Sequence, residues 1–322
     1  MVFPSGLPTT PYRQGFDEAG GAEARGVAWS DMLIVDAHQH FWDPSRTEYP
    51  WLPRNYPELE KKFDFPDLAP HLAAAGVSAT VLVQSADNWA DTEFMFEVAG
   101  RHPEVAGVVA WAPLDDPPTA ARLLEDLSKR ERFCGVRNLI HDREDPDWVL
   151  RPDVSEGLGL LEAAGVPFDY VAVLPRHLEH VPTLCERFGR LRVVIDHLAK
   201  PPVGTTRLGP WKSLMSRAAS SSNVFAKVSG LYPLERGSQA SRDDLRPFFD
   251  HAVDVFGPSR LMFGSDWPIC EVAGGYQAVV GTLLSLIREL DEQSQTLMLS
   301  ATAKEFYHLR LPGDASPASN RP

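Results

Sequence analysis

Eight times along this chain a short apolar run rich in Val, Ile and Leu gives way to a longer amphipathic stretch, and no other feature restricts the fold as much. The runs fall at 32–37, 78–84, 105–111, 135–140, 166–173, 191–196, 223–229 and 260–264. Near-continuous apolar strands suit a parallel sheet covered on both faces. Between them, stretches such as 67–75, 91–101, 118–129, 154–164, 178–188 and 243–256 carry helical periodicity. Eight strand–helix units in 322 residues predict an α/β chain folded as a single (β/α)8 TIM-type barrel rather than an open doubly wound sheet. No Gly-x-Gly-x-x-Gly follows any run, which removes the usual dinucleotide fingerprint.

The pattern also sets boundaries. Residues 1–31 are broken by Pro4, Pro8, Pro11, Gly15, Gly20, Gly21 and Gly26 and read as an irregular extension. The barrel is expected over 32–310 and a tail over 311–322, with both ends contributing nothing to chemistry. Between the first two runs, 41–75 holds Trp42, Tyr49, Trp51 and Tyr56. It reads as an extended first βα loop, the kind from which barrels build substrate pockets.

Charge narrows the partners. With 31 basic against 44 acidic residues the net charge is −13, and no Lys/Arg-rich run is present. Nucleic acid and anionic membrane are therefore not expected as partners; a small molecule is, and self-association stays open. Cys134, Cys185 and Cys270 are odd in number and widely spaced, which argues against a disulfide framework. Residues 1–31 contain no apolar signal region, and no segment approaches the ~18 apolar residues of a membrane span. The expected location is the cytoplasm.

Three motifs sit at the ends of apolar runs, where barrels place their chemistry. Asp36-Ala37-His38-Gln39-His40 ends the first; residues two apart on an extended chain share a side, so His38 and His40 can both face the barrel axis. Two imidazoles there suit a divalent metal or proton transfer; hydrogen-bonded core histidines are the alternative. Ile195-Asp196-His197 ends the sixth run, with Asp196 a candidate for orienting an imidazole. Phe263-Gly264-Ser265-Asp266-Trp267-Pro268 ends the eighth; Asp266 can deprotonate water there or simply cap a helix. Arg137 and Lys227 are candidates for holding a carboxylate, hydroxyl or oxyanion, or for a structural ion pair. Trp42, Trp51 and Trp267 are candidates for stacking on a sugar or for apolar wall.

Taken together and in order, these motifs resemble the amidohydrolase superfamily, and within it the amidohydrolase-2 sugar-lactonase branch of L-fuconolactonase- and L-rhamnonolactonase-like enzymes. The similarity includes Asp36-Ala-His38-Gln-His40-Phe41-Trp42-Asp43-Pro44, Tyr49-Pro50-Trp51-Leu52, Gly135-Val-Arg137, Val194-Ile-Asp196-His197-Leu198-Ala199-Lys200-Pro201, Asn223-Val-Phe-Ala-Lys227-Val-Ser229-Gly230-Leu231 and Gly264-Ser-Asp266-Trp267-Pro268. The resemblance implies hydrolysis of a lactone, with a sugar aldonolactone as substrate. It implies Asp266 as general base, His38, His40 and His197 as site histidines, and Arg137 as a substrate contact. His38, His40, His197 and Asp266 would hold one divalent ion at most, Zn2+ foremost, and a metal-free site stays open because the branch includes such members. The superfamily's fifth-strand histidine has no match, since His177 lies several residues late, and Asn138 stands where relatives often carry histidine. Alternatives are a zinc-dependent decarboxylase or hydratase of aromatic acids, and a non-catalytic barrel that only binds.

Overall fold

The computed structural model describes residues 32–205, 208–233, 238–311 and 314. The expectation for residues 1–31 lies outside them, as does most of that for 311–322. Eight parallel strands run in sequence order around one sheet: β1 (Val35–Gln39), β2 (Ala79–Val83), β3 (Val105–Ala110), β4 (Phe133–Asn138), β5 (Phe168–Tyr170), β6 (Val193–Ile195), β7 (Val224–Val228) and β8 (Leu261–Phe263). The ring closes at the C-terminal ends of β1 and β8, where Asp266 N donates to His38 O at 2.8 Å and His40 N donates to Trp267 O at 2.7 Å. The (β/α)8 barrel is the observed architecture.

Helix α1 (Trp51–Asn55) lies within the first loop. The outer layer is α2 (Phe65–Ala75), α3 (Trp89–Arg101), α4 (Pro117–Leu127), α5 (Pro152–Ala164), α6 (Pro175–Arg187), α7 (Gly209–Ala219), α8 (Arg242–Phe256) and α9 (Tyr276–Ile287). Their starts follow local chemistry. Asp64 and Ser241 each close a capping box, on α2 and α8, and Asn88 accepts from Asp91 N to begin α3. Two short helices, α10 (Glu292–Thr296) and α11 (Thr302–Tyr307), follow.

Apolar side chains form two layers. One fills the space between strands and helices; the other, with Val35, Val81, Val109, Val194 and Met262, fills the lower barrel and is closed by Phe306 and Tyr307 of α11. That leaves the upper barrel for polar groups. The three cysteines are free thiols. Among the described residues, no helix is long and apolar enough to cross a membrane.

The first βα loop is ordered by its aromatics. Trp42 and Phe63 exchange backbone hydrogen bonds, Trp42 N to Phe63 O at 3.2 Å and Phe63 N to Trp42 O at 2.9 Å. Their rings pack edge to face at 5.3 Å, the spacing Trp42 also keeps from Trp51 and Phe63 from Trp267. Tyr49 Oη donates to buried Asp91 at 2.9 Å, fastening the loop to α3.

Candidate active site

His38, His40, His197 and Asp266 come from three separate strand ends and meet at one point. Around Asp266 Oδ1 stand the Nε2 atoms of His40 at 3.5 Å, His197 at 3.7 Å and His38 at 3.8 Å. His38 Nε2 and His40 Nε2 are 3.0 Å apart. Between Asp36 and Gln39 of β1, three steps of chain oppose two on β2 (Thr80 to Leu82). This one-residue bulge re-aims the histidine strand end, as bulges beside active sites do. Asp36 itself does not reach the cavity: its Oδ1 accepts from Ser265 N at 2.8 Å and His38 N at 3.2 Å, tying β1 to the end of β8.

The segment after β6 is a left-handed turn. His197, Leu198, Ala199 and Lys200 have φ of 54°, 48°, 58° and 48°, a conformation that costs non-glycine residues roughly 1–2 kcal/mol each. It is held by fully buried Leu198, whose carbonyl accepts from Trp211 Nε1 at 2.8 Å. The turn brings His197 and Lys200 to the same cavity, and Lys200 Nζ donates to Asp266 Oδ2 at 3.4 Å and Gly230 O at 3.2 Å. Lys200 belongs to the site although its residue type alone gave no reason to select it; the signal was its place in the His197–Pro201 motif.

Electrostatics keep the rings neutral and the carboxylate charged. Burial holds His197 down to about 3 and pushes His38 and His40 below the usual imidazole range, with Lys227 adding to the effect on His38. Burial alone would raise the Asp266 carboxyl, but His197, Lys200 and His40 outweigh it and hold it well below the usual carboxylate range. His40 Nδ1 donates to Val83 O at 2.8 Å, so its Nε2 carries the lone pair. His197 Nδ1 meets Ser229 Oγ at 2.9 Å. Asp266 Oδ1 and the Nε2 atoms of His38 and His40 lie 3.0–3.8 Å from one another, the spacing of ligands about 2.0–2.2 Å from one ion, and His197 Nε2 stands 3.7 Å from Asp266 Oδ1. The set therefore fits a single divalent cation.

The other sequence candidates divide. Arg137 lines the cavity, with Nη1 donating to Asp196 Oδ2 at 3.0 Å and Nη2 to Gln84 O at 2.5 Å. Trp51 also lines it, and its Nε1 donates to Ser85 O at 2.7 Å. Trp42 and Trp267 do not: both are buried in the aromatic layer behind the site, so they shape its wall instead of stacking on a ligand. Lys227 does not either. It is fully buried one layer deeper, within 2.5 Å of Asp169 Oδ2 and 3.2 Å of Asp196 Oδ1. His177 accepts from Val173 N and Leu174 N at the start of α6, and the fifth strand instead contributes Asp169. The cavity above the cluster has a volume of about 390 Å³, and His141 and Tyr232, which no motif singled out, complete its walls.

The chain as a whole has known relatives. The amidohydrolase family model matches residues 35–309. The chain is 37% identical over 242 residues to L-fucono-1,5-lactonase of Burkholderia ambifaria, covering 75% of this chain and 82% of that protein. It is 33% identical over 297 residues to L-fucono-1,5-lactonase of Burkholderia multivorans, covering 88% and 98%. A crystal structure of an amidohydrolase from Burkholderia multivorans with bound Zn superposes with a TM-score of 0.77 at 30% identity, covering 86% of this chain and all of that one (100%). This chain is thus a member of the amidohydrolase family.

Proposed function

We propose that the protein hydrolyses a sugar lactone, foremost L-fucono-1,5-lactone or another 1,5-lactone of a six-carbon sugar acid, to the open hydroxy acid. The observation that carries this reading is an ionised Asp266 encircled by three neutral imidazoles at the base of a cavity of about 390 Å³. Such a space encloses a ring with about a dozen heavy atoms. Its relatives named L-fucono-1,5-lactonase support the substrate class.

In the mechanism Asp266 takes a proton from water, whose oxygen attacks the lactone carbonyl carbon. Arg137, at the cavity wall, stabilises the developing oxyanion, and Asp266 returns the proton to the departing ring oxygen. Lys200 steadies the carboxylate between these transfers. His38, His40, His197 and Asp266 would hold one divalent ion, Zn2+ by the donor set and by the likeness to a Zn-bound relative. Such an ion supplies Lewis-acid polarisation of the carbonyl and a more acidic water.

A panel of aldonolactones followed with a pH indicator, with and without chelator, tests this. Turnover of 1,5-lactones is expected; no turnover of any lactone would overturn the reading. Elemental analysis of the purified protein is expected to give at most about one divalent ion per chain, since the ligands complete only one shell. Two tightly held, essential ions would require a second site that this donor set does not provide.

Trp51→Ala is expected to raise KM about tenfold with kcat within a few-fold, as loss of one aromatic contact to a bound ring does. An unchanged KM would move Trp51 off the substrate. Burial lowers all three imidazoles from their ordinary value, and His197, Lys200 and His40 lower the Asp266 carboxyl. In the metal-free protein each ring is therefore expected, by NMR titration, to ionise below the free imidazole value of about 6.5; a ring ionising at or above that value would mean that burial does not hold it neutral.

A further inference from the structure

The turn after β4 carries a histidine that the mechanism leaves unused. His141 sits in a single 3-10 turn, Ile140–Asp142, and lines the cavity. One carboxylate fastens both flanks of that turn: Asp87 Oδ1 accepts from Leu139 N at 2.9 Å, and Asp87 Oδ2 accepts from Arg143 Nη2 at 2.8 Å. Gln84, just beyond β2, donates through Nε2 to Asp87 Oδ1 at 2.9 Å and to Arg137 O at 3.1 Å. The Arg143 guanidinium stacks 4.5 Å from the ring centre of buried Trp148. His141 is thus presented from a segment held on both sides, the preorganisation that a recognition residue needs.

The fold makes no use of the ring itself. Among the described residues neither ring nitrogen has a hydrogen-bond partner; Nε2 is 3.9 Å from Asp142 Oδ1, beyond hydrogen-bonding reach, and the side chain is 30% exposed at the cavity wall. Desolvation in the cleft, then the Arg137 and Lys200 cations, lower its imidazole from the ordinary value. The ring is therefore uncharged at neutral pH and offers one donor and one acceptor, the pair that an alcohol uses. The cations that share the wall are already paired, Arg137 with Asp196 at 3.0 Å and Lys200 with Asp266 at 3.4 Å. Asn55, Tyr56 and Tyr232 add neutral polar groups. Among the described residues, the wall thus meets the substituents of a bound ring with neutral hydrogen-bonding groups and leaves no unpaired cation for a carboxylate.

We propose that His141 determines specificity by hydrogen bonding a hydroxyl of the substrate ring, so that the preferred substrate is a neutral polyhydroxy lactone, neither a bare ring nor one bearing a carboxylate. Asp87 acts through it as a positioning residue. The inference rests on the lactonase reading and deepens it: proton transfer at Asp266 needs only the ester group, whereas the hydroxyls must be read by the wall above. One neutral hydrogen bond contributes about tenfold, and a site built around a hydroxyl rejects a ring that lacks it more strongly than an apolar pocket rejects a missing methylene.

The test gives the full-length protein, at neutral pH, a 1,5-aldonolactone, unsubstituted δ-valerolactone, and a 1,5-lactone with a carboxylate in place of C6, each read above its uncatalysed rate. Wild type is expected to favour the aldonolactone in kcat/KM. In His141→Phe, which keeps an aromatic ring without its nitrogens, the ratio of kcat/KM for the aldonolactone to that for δ-valerolactone is expected to fall about tenfold or more, mainly through KM for the aldonolactone. The anchors of the turn are Leu139 N and Arg143, so this variant keeps them. A ratio within about twofold of wild type would overturn the proposal, whether both rates fall together or neither changes, because His141 would then be only wall. A carboxylated lactone opened as well as the neutral one would overturn the neutral-ring half, and wild type alone decides that half. Failure of the lactonase reading looks different: wild type then opens none of the three, and the proposal falls with it.

Discussion

Asp266→Asn is expected to lower kcat/KM for the lactone by 10²- to 10⁴-fold, the usual cost of removing a general base, while leaving the fold intact. The amide keeps the shape of the side chain but cannot take a proton from water. Asparagine also suits the backbone: Asp266 has φ of 60°, a left-handed conformation that Asn tolerates nearly as well as any non-glycine residue. The backbone bond from residue 266 N to His38 O, 2.8 Å long, is untouched. Lys200 loses its anionic partner, but it is about a third exposed, with a side-chain accessibility of 31%, so water can solvate it. A melting temperature within a few degrees of wild type is therefore expected alongside the kinetic loss. Activity within a few-fold of wild type would take Asp266 out of the base role; loss of both activity and folded protein would make it structural.

Much of this site was legible in the sequence because a barrel converts chain position into spatial position. A residue at the C-terminal end of an apolar run must arrive at the same rim as its counterparts on the other runs, and so His38, His40, His197 and Asp266 converge there, just as Asp36 and Ser265, 229 positions apart in the chain, meet in a hydrogen bond. Depth was not legible. Alternation along a strand says which side of the sheet a side chain takes, not how far up the barrel it sits. Lys227 is on the expected side, yet it lies below His38 because β7 ends two residues short of Gly230, the residue that reaches the cavity. Trp42 and Trp267 were likewise placed near the site but not behind it, since their burial depends on Phe63, which the loop brings in by bridging back to Trp42. The left-handed turn at 197–200 runs against the intrinsic preference of all four of its residues. Tertiary packing of Leu198 overrides local preference there, and no pattern of residue types announces it.

Gly230 is where that positioning is most exposed to a single methyl group. Its φ is 57°, and a Cβ built on it would stand 2.5 Å from His197 Nδ1 and 2.7 Å from Asp266 Oδ2. Neither contact involves the loose end of a flexible chain. His197 is fixed through Ser229 Oγ at 2.9 Å, and Asp266 through the ring closure at the end of β8. Gly230→Ala must therefore displace the imidazole, the carboxylate, or the backbone carbonyl that receives Lys200. Misplacing reacting groups by about 1 Å costs on the order of 10²-fold, so a loss of at least that size in kcat/KM is expected, together with about 1–3 kcal/mol of stability for a strained backbone residue. Gly76→Ala separates the two effects. Gly76 ends α2 with φ of 71° and has nothing within 4 Å of the position a Cβ would take, so it carries the backbone cost without the collision. Gly76→Ala is expected to lose stability, about 1 kcal/mol, with kinetics unchanged, whereas Gly230→Ala loses both. Equal kinetics in the two variants would show that His197 and Asp266 tolerate displacement, and the tight encirclement of Asp266 would then have no bearing on the rate.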